Sequence, residues 1–129
     1  MSKLDRKLSL VAIDDDRGDL VLLARLIARL AQPEILLSAF QEPARALRHL
    51  VRVPCDLVIV DYDLGGRTGL DVHAEISRHH PDLPVILWTD RDDPGLFRDA
   101  RERGVAECLS KRKVDSKRLW MSFESVFRD

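Results

Sequence analysis

Apolar residues in this chain follow two alternating patterns. Short continuous runs occur at Leu8 to Ile13, Ile35 to Phe40, Leu57 to Val60, Val85 to Trp88 and Val105 to Ser110. None alternates with period two, so each reads as a strand buried on both faces; the fifth is the weakest. Between them the apolar positions recur at helical spacing. Leu20, Leu23, Ala24, Ile27, Leu30 and Ala31 form the first stripe, with Arg25 and Arg29 off it and Gln32-Pro33 as its stop. Asp16 or Asp19 is placed to cap that helix. Glu42-Pro43 opens a second helix, with Ala46, Leu47, Leu50 and Val51 facing inward, and Pro54 closes it; proline suits a first turn. A third helix runs from about Leu70 to His80, with Leu70, Val72 or His73, and Ile76 on its inner face. Leu96, Phe97 and Ala100 mark a charged, mostly exposed fourth helix, ended by Gly104 as a glycine beyond the cap. Asp115 or Ser116 caps a last helix whose apolar face is Leu119, Phe123, Val126 and Phe127.

Strand and helix thus alternate five times, with short connections. That is the pattern of an α/β doubly wound sheet, five parallel strands with helices on both faces. No repeat, low-complexity stretch or linker interrupts it. The expectation is one domain over residues 1–129, structured over about residues 8–128, with no output domain. Such a length supports a single core. Hydrophobic content of 45% and charged content of 33% fit a globular chain, and 21 basic residues nearly cancel 22 acidic ones. Composition therefore gives no electrostatic case for direct nucleic-acid binding, and the short runs Lys111-Arg112-Lys113 and Lys117-Arg118 do not change that. Cys55 and Cys108 are far apart and form no metal-ligand pattern, so both read as reduced thiols. No apolar run approaches the roughly 18 residues of a membrane span. The first residues, Met1 to Lys7, are too charged for a signal peptide. A cytoplasmic protein with no membrane partner is expected.

The chemistry lies where the strands end. Asp14, Asp15 and Asp16 follow the first strand, Asp61 and Asp63 the third, Thr89 the fourth and Lys111 the fifth. In a parallel sheet all these ends share one edge, where open α/β sheets bind ligands. Several carboxylates there repel one another unless a cation neutralises them. An oxygen-rich acidic pocket suits a hard cation, Mg²⁺ in particular. A hydroxyl and an ammonium beside it suit phosphate oxygens. Together they describe a site for phosphoryl transfer by positioning and charge neutralisation.

Across essentially its whole length the chain resembles the receiver domain of bacterial two-component response regulators. The residues that carry the resemblance are Asp14-Asp15, Asp61, Gly69 eight positions later, Thr89 and Lys111, in order and in register. The resemblance implies a flavodoxin-like strand order 2-1-3-4-5. It implies that Asp61 accepts a phosphoryl group from a sensor histidine kinase or phosphotransfer protein. Asp14, Asp15, Asp61 and the backbone carbonyl of Asp63 would hold Mg²⁺, for which Mn²⁺ can substitute. Thr89 would hydrogen-bond the phosphoryl group and Lys111 would pair with one of its oxygens. The output would pass to a protein partner over the fourth helix, fifth strand and last helix. Monomer and homodimer both stay open. Four positions depart from the family pattern. Gly65 stands where proline is usual, Asp90 where a small residue is usual, Cys108 where a Tyr or Phe ring is usual, and Arg112 where a cis-proline is usual. The reacting residues are thus intact while the part that transmits their state is altered.

The reading is a stand-alone receiver, not an enzyme acting on other substrates. Two alternatives remain beside it. One is a phosphorylation-independent interaction module, suggested by Asp90, Cys108 and Arg112. The other is a Mg²⁺-dependent phosphatase, because Asp61-Tyr62-Asp63 also resembles the Asp-x-Asp nucleophile of haloacid-dehalogenase-like hydrolases. Other polar residues take plainer readings. Asp16 is a cap or a solvated residue, and Arg91 is a solvated arginine whose functional alternative is a pair with Asp63 across the site mouth. His73 is a packed histidine, His79-His80 favour a helix end, Trp88 and Trp120 are packing residues, and the charges from Arg98 to Arg103 are a solvated helix face.

Overall fold

The computed structural model describes residues 3–31 and 33–128. After a 3-10 turn at Lys3–Asp5, the order is β1 (Leu8–Ile13), α1 (Arg17–Ala28), β2 (Ile35–Phe40), α2 (Pro43–Arg52), β3 (Leu57–Asp61), α3 (Gly69–His79), β4 (Val85–Thr89), α4 (Pro94–Glu102), β5 (Glu107–Ser110) and α5 (Ser116–Phe127). The strands form one parallel sheet in the order β2-β1-β3-β4-β5. The expected α/β architecture and strand order are therefore present.

The pleat sends alternate residues to opposite faces, and each face carries its own core. Leu8, Leu10, Ala12, Leu57, Ile59, Ile86, Trp88 and Leu109 pack against Leu20, Leu23, Leu26 and Ile27 of α1 and Leu119, Phe123 and Phe127 of α5. On the other face Val11, Ile13, Val58, Val60, Val85 and Leu87 meet Ala46 and Leu50 of α2, Leu70, Val72 and Ile76 of α3, and Ala100 of α4. Every residue of β3 and β4 is buried, which is why those strands show no alternation. Burial of each large side chain contributes about 1.5–3 kcal/mol.

The caps of α1 and α5 are among those expected, and those of α3 and α4 come in addition. Asp16 caps α1 by accepting from the Asp19 N–H, Thr68 and Asp71 form a reciprocal capping box on α3, Asp93 caps α4 and Asp115 caps α5. Gly104 lies just past the α4 cap at φ +98, as expected of a glycine there.

Several boundaries and faces differ from expectation. α1 stops at Ala28 with Arg29 as its cap, short of Gln32-Pro33; Gln32 lies outside the described residues, as do Met1, Ser2 and Asp129. Its buried stripe contains Leu26, while Ala24 and Ala31 are exposed. In α2, Val51 is exposed because the helix is at its last turn there and the core face ends with Leu50. β5 begins at Glu107 rather than Val105, because an edge strand has one neighbour and pairs only where β4 is opposite. Val72 and His73 are both buried.

Candidate functional site: an acidic pocket at the strand ends

Each polar residue of the site is delivered by the element before it. β3 pairs with β4 so that Asp61 lies opposite Trp88, and β4 pairs with β5 so that Thr89 lies opposite Ser110, one residue before Lys111. Leu57 and Ile59 face α1 and α5, and the same parity turns Asp61 toward that side. The turn after Asp63 needs positive φ at Gly65 and Gly66. A side chain at Gly69 would collide with the Asp61 carbonyl and approach Leu87, so glycine is required where α3 starts against the end of β3.

Three carboxylates converge. Oxygens of Asp14, Asp15 and Asp61 all lie within 4.8 Å of one another; Asp14 and Asp61 are buried and Asp15 opens to solvent. Lys111, itself buried, sits among them, with its Nζ 2.8 Å from Asp14 Oδ2 and 3.0 Å from Asp61 Oδ2. A third contact comes from outside the strand ends. Lys111 Nζ is 2.7 Å from Oδ2 of Asp19, in the first turn of α1. Trp88 is also more than packing. Its indole Nε1 donates to Asp14 Oδ2 at 3.2 Å, and its ring lies 5.2 Å from the Lys111 ammonium. Asp14 accepts in addition from the Asp16 N–H at 2.9 Å. Strand parity was the available signal for Trp88, since it shares a face with Ile86 and stands opposite Asp61. Asp19 carried no such signal beyond its place in a first helical turn.

The electrostatics follow from burial and crowding. Desolvation pushes the Asp61 carboxyl up to about 6; the hydrogen bond from Lys111 pulls the other way and the charge of Asp14 adds to the rise. Asp14 is likewise raised, mainly by burial, against the pull of Lys111. Burial would lower the Lys111 ammonium, but hydrogen bonds to Asp14, Asp19 and Asp61 outweigh it and hold it above the ordinary lysine range. One ammonium thus faces four carboxylates, counting Asp15. The donor set is all oxygen, partly open, and short of positive charge, which fits a hard divalent cation that keeps some of its waters.

Thr89 is fully buried at the end of β4, and its Oγ1 accepts from the Arg91 N–H at 3.2 Å. Arg91 is not merely solvated. Its Nε and Nη2 donate to both Asp63 oxygens at 3.1 and 3.0 Å, and its guanidinium stands 5.0 Å from the Tyr62 ring. The alternative pairing across the site mouth is therefore the one present. Arg112 and Lys113 reach from the loop after β5 to Asp90 at 3.8 Å and Asp92 at 3.1 Å. His73 is a packed histidine bonded to Ser77 at 3.2 Å and held below its usual pKa by burial and then by Arg103. Burial pushes the Cys55 thiol up to about 11 and raises Cys108, which disfavours the thiolate at both. No described helix is long and apolar enough to cross a membrane.

Comparison with known proteins agrees with this geometry. Residues 10–122 match the model of the response regulator receiver domain. The chain is 32% identical over 111 residues to the cyclic di-GMP phosphodiesterase response regulator RpfG of Xanthomonas campestris, covering 84% of this chain and 29% of that protein. It is 32% identical over 117 residues to the transcriptional regulatory protein GlrR of Escherichia coli, covering 91% of this chain and 26% of that one. The chain thus spans under a third of the length of these relatives. Among solved structures, the signal receiver domain of an HD domain-containing protein from Pseudomonas fluorescens superposes with a TM-score of 0.81 at 26% identity, covering 94% of each chain. A response regulator from Chloroflexus aurantiacus reaches 0.84 at 18% identity, covering 95% of this chain and 99% of the other, which speaks for the fold alone. The haloacid-dehalogenase-like reading falls, because this family is a signalling module rather than a catalytic enzyme. The chain belongs to the response regulator receiver domain family, with the acidic pocket of Asp14, Asp15 and Asp61 and the ammonium of Lys111 at the ends of its strands.

Proposed function

We propose that the protein is a cytoplasmic receiver that accepts a phosphoryl group on Asp61 in a Mg²⁺-dependent reaction and signals through protein contact. The observation that carries this reading is the convergence of three carboxylates on one buried ammonium at the strand ends. An Asp61 carboxylate oxygen attacks the phosphorus of a phosphohistidine on a sensor kinase or phosphotransfer protein. A P–O bond forms, the P–N bond breaks, and its electron pair returns to the imidazole, which takes a proton from solvent. The product is an acyl phosphate, later hydrolysed by water. Asp14, Asp15, Asp61 and the Asp63 backbone carbonyl would hold Mg²⁺, which when bound offsets the charge of the transferring group. Lys111 pairs with a phosphoryl oxygen, and the buried Thr89 hydroxyl donates to another once it turns from Arg91. The new charge and oxygens then bias an equilibrium between two arrangements of the domain. The output face is α4, β5 and α5, where Met121 is exposed and Trp120 half-buried.

Intact-mass measurement after incubation with Mg²⁺ and a small acyl phosphate tests this. One added phosphoryl group on wild type, absent from Asp61→Asn and absent without metal, is the expected result. No adduct with any donor would sink it.

A second reading is supported by specific contacts. Cys108 stands in place of the usual ring, and the exposed pairs Arg112–Asp90 and Lys113–Asp92 bridge the loop after β5 and the loop after β4. A receiver fixed in one arrangement works as a phosphorylation-independent interaction module. In that case Asp61→Asn leaves the cellular output unchanged.

A further inference from the structure

One carboxylate beside Lys111 has no task in the phosphoryl-transfer reading. Asp19 belongs to the first turn of α1 rather than to a strand end, yet it makes the shortest of the three contacts to Lys111. An ammonium has three N–H donors. Lys111 gives one to Asp14 at 2.8 Å, one to Asp19 at 2.7 Å and one to Asp61 at 3.0 Å.

Two of these acceptors, Asp14 and Asp61, are also two of the three carboxylates suited to a divalent cation. Lys111 and the cation therefore compete for the same pair. The Lys111 side chain is only 4% exposed, so water cannot replace an acceptor it loses. A buried charge left without its partners is strongly unfavourable. Asp19 is the one acceptor outside the carboxylate triad. Its side chain is 26% exposed, at the rim of the pocket, on the same side of the sheet toward which parity turns Asp61.

We propose that Asp19 is a positioning residue that retains Lys111, so that Asp14 and Asp61 can turn oxygens to a divalent cation without stranding the ammonium. This rests on the reading of Asp14, Asp15 and Asp61 as a cation site. Asp19 touches neither the cation nor the phosphoryl group; it acts through Lys111.

Asp16 supplies the control. It carries the same charge at the same helix start, is exposed, and serves as the α1 cap by accepting from the Asp19 N–H. Asparagine caps about as well as aspartate, so Asp16→Asn removes the charge and keeps the helix. Trp88 supplies a reporter, because its indole is bonded to Asp14. Mg²⁺ alone would be titrated into wild type, Asp19→Asn, Asp16→Asn, Lys111→Met and the Asp19→Asn/Lys111→Met double variant. Trp88 fluorescence in a Trp120→Phe background and calorimetry would follow binding, and circular dichroism would follow folding. Asp19→Asn is expected to weaken Mg²⁺ binding about tenfold, Asp16→Asn by less than about threefold, and Asp19→Asn to add nothing in the Lys111→Met background. Equal losses from Asp16→Asn and Asp19→Asn would mean that charge alone acts, and would overturn the proposal. So would an Asp19→Asn effect that persists without Lys111, or no effect at all. If Lys111→Met does not fold, the comparison of Asp19→Asn with Asp16→Asn decides. Absence of Mg²⁺ binding by wild type would overturn the cation-site reading and this proposal together; binding by wild type that Asp19→Asn leaves intact would overturn this proposal alone.

Discussion

β3 carries a carboxylate at each end, and the two live in opposite circumstances. Asp56, just before the strand, is one carboxylate among two cations. It accepts the Ser9 N–H at 2.9 Å and lies 3.1 Å from Arg6 and 3.5 Å from Lys3. Asp61, the last residue of the strand, is one of three carboxylates around a single ammonium. The consequences are opposite in sign. Burial alone would raise Asp56, but the Ser9 N–H, Arg6 and Lys3 hold it below its ordinary 3.8. Burial and the charge of Asp14 hold Asp61 up at about 6 despite Lys111. One end of the strand is arranged to keep a negative charge, and the other to need help in keeping it. A parallel sheet separates the two duties by construction, since all strand starts lie on one edge and all strand ends on the other.

The sharpest way to break the comparison is Asp61→Asn. It should abolish phosphoryl incorporation and yet stabilise the metal-free protein. Asp61 is raised above its unfolded value, so between pH 3.8 and about 6 the native state binds more protons than the unfolded one, and its contribution to stability falls as pH rises through that window. Removing the charge at neutral pH should therefore gain on the order of 1–3 kcal/mol in denaturant melts without metal. A loss of stability would show that Lys111 fully compensates the crowding. The second effect is that of the cation itself. At about a hundredfold excess over its dissociation constant, Mg²⁺ should stabilise wild type by about 2.7 kcal/mol, and a chelator should reverse it. Asp61→Asn should shrink that gain, whereas Asp56→Ala should leave it alone.

Asp56→Ala is the complementary break. It removes a charge-assisted acceptor from a backbone N–H in β1, a loss of about 1.5–3 kcal/mol. Asp56 is depressed in the native state, so its stabilisation is present above the unfolded value of 3.8 and is lost as pH falls through the lower folded value. The wild type and Asp56→Ala melting curves should converge below about pH 4, and phosphorylation of Asp61 should be unchanged at neutral pH. A changed phosphorylation rate would mean that the two ends of β3 are coupled.

The fold was legible because burial on both faces writes itself into sequence as unbroken apolar runs. Leu57 to Val60 and Val85 to Trp88 are the central strands, and both lie where expected. Reading weakened where burial weakens. β5 is an edge strand and starts two residues late, and Val51 sits exposed in the last turn of its helix. In the site, residues that must end strands were readable, since position alone brings Asp14, Asp61 and Lys111 to one edge. The contacts that set their state were not. Lys111 to Asp19 spans 92 positions and Trp88 to Asp14 spans 74, and side-chain reach rather than periodicity decides both.

The smallest expected effect on stability belongs to Arg91. Its pair with Asp63 is bidentate but exposed, with side chains 52% and 57% accessible, so Arg91→Ala should change stability by less than about 1 kcal/mol. Its effect on the phosphoryl group should be disproportionate. Arg91 occupies both oxygens of Asp63 and covers the Tyr62 ring, while its N–H holds the Thr89 hydroxyl. Without the guanidinium, Asp63 becomes a free carboxylate two residues from Asp61, able to take a proton from an attacking water. The phosphorylated Arg91→Ala protein should therefore lose its phosphoryl group several times faster than wild type, as read by intact mass over time. Asp63→Asn in the same background should restore the slower decay, because an amide cannot take that proton. If Arg91→Ala decays at the wild-type rate, the pair is surface decoration. If it decays faster and Asp63→Asn does not rescue it, the guanidinium acts by covering the site mouth rather than by occupying Asp63.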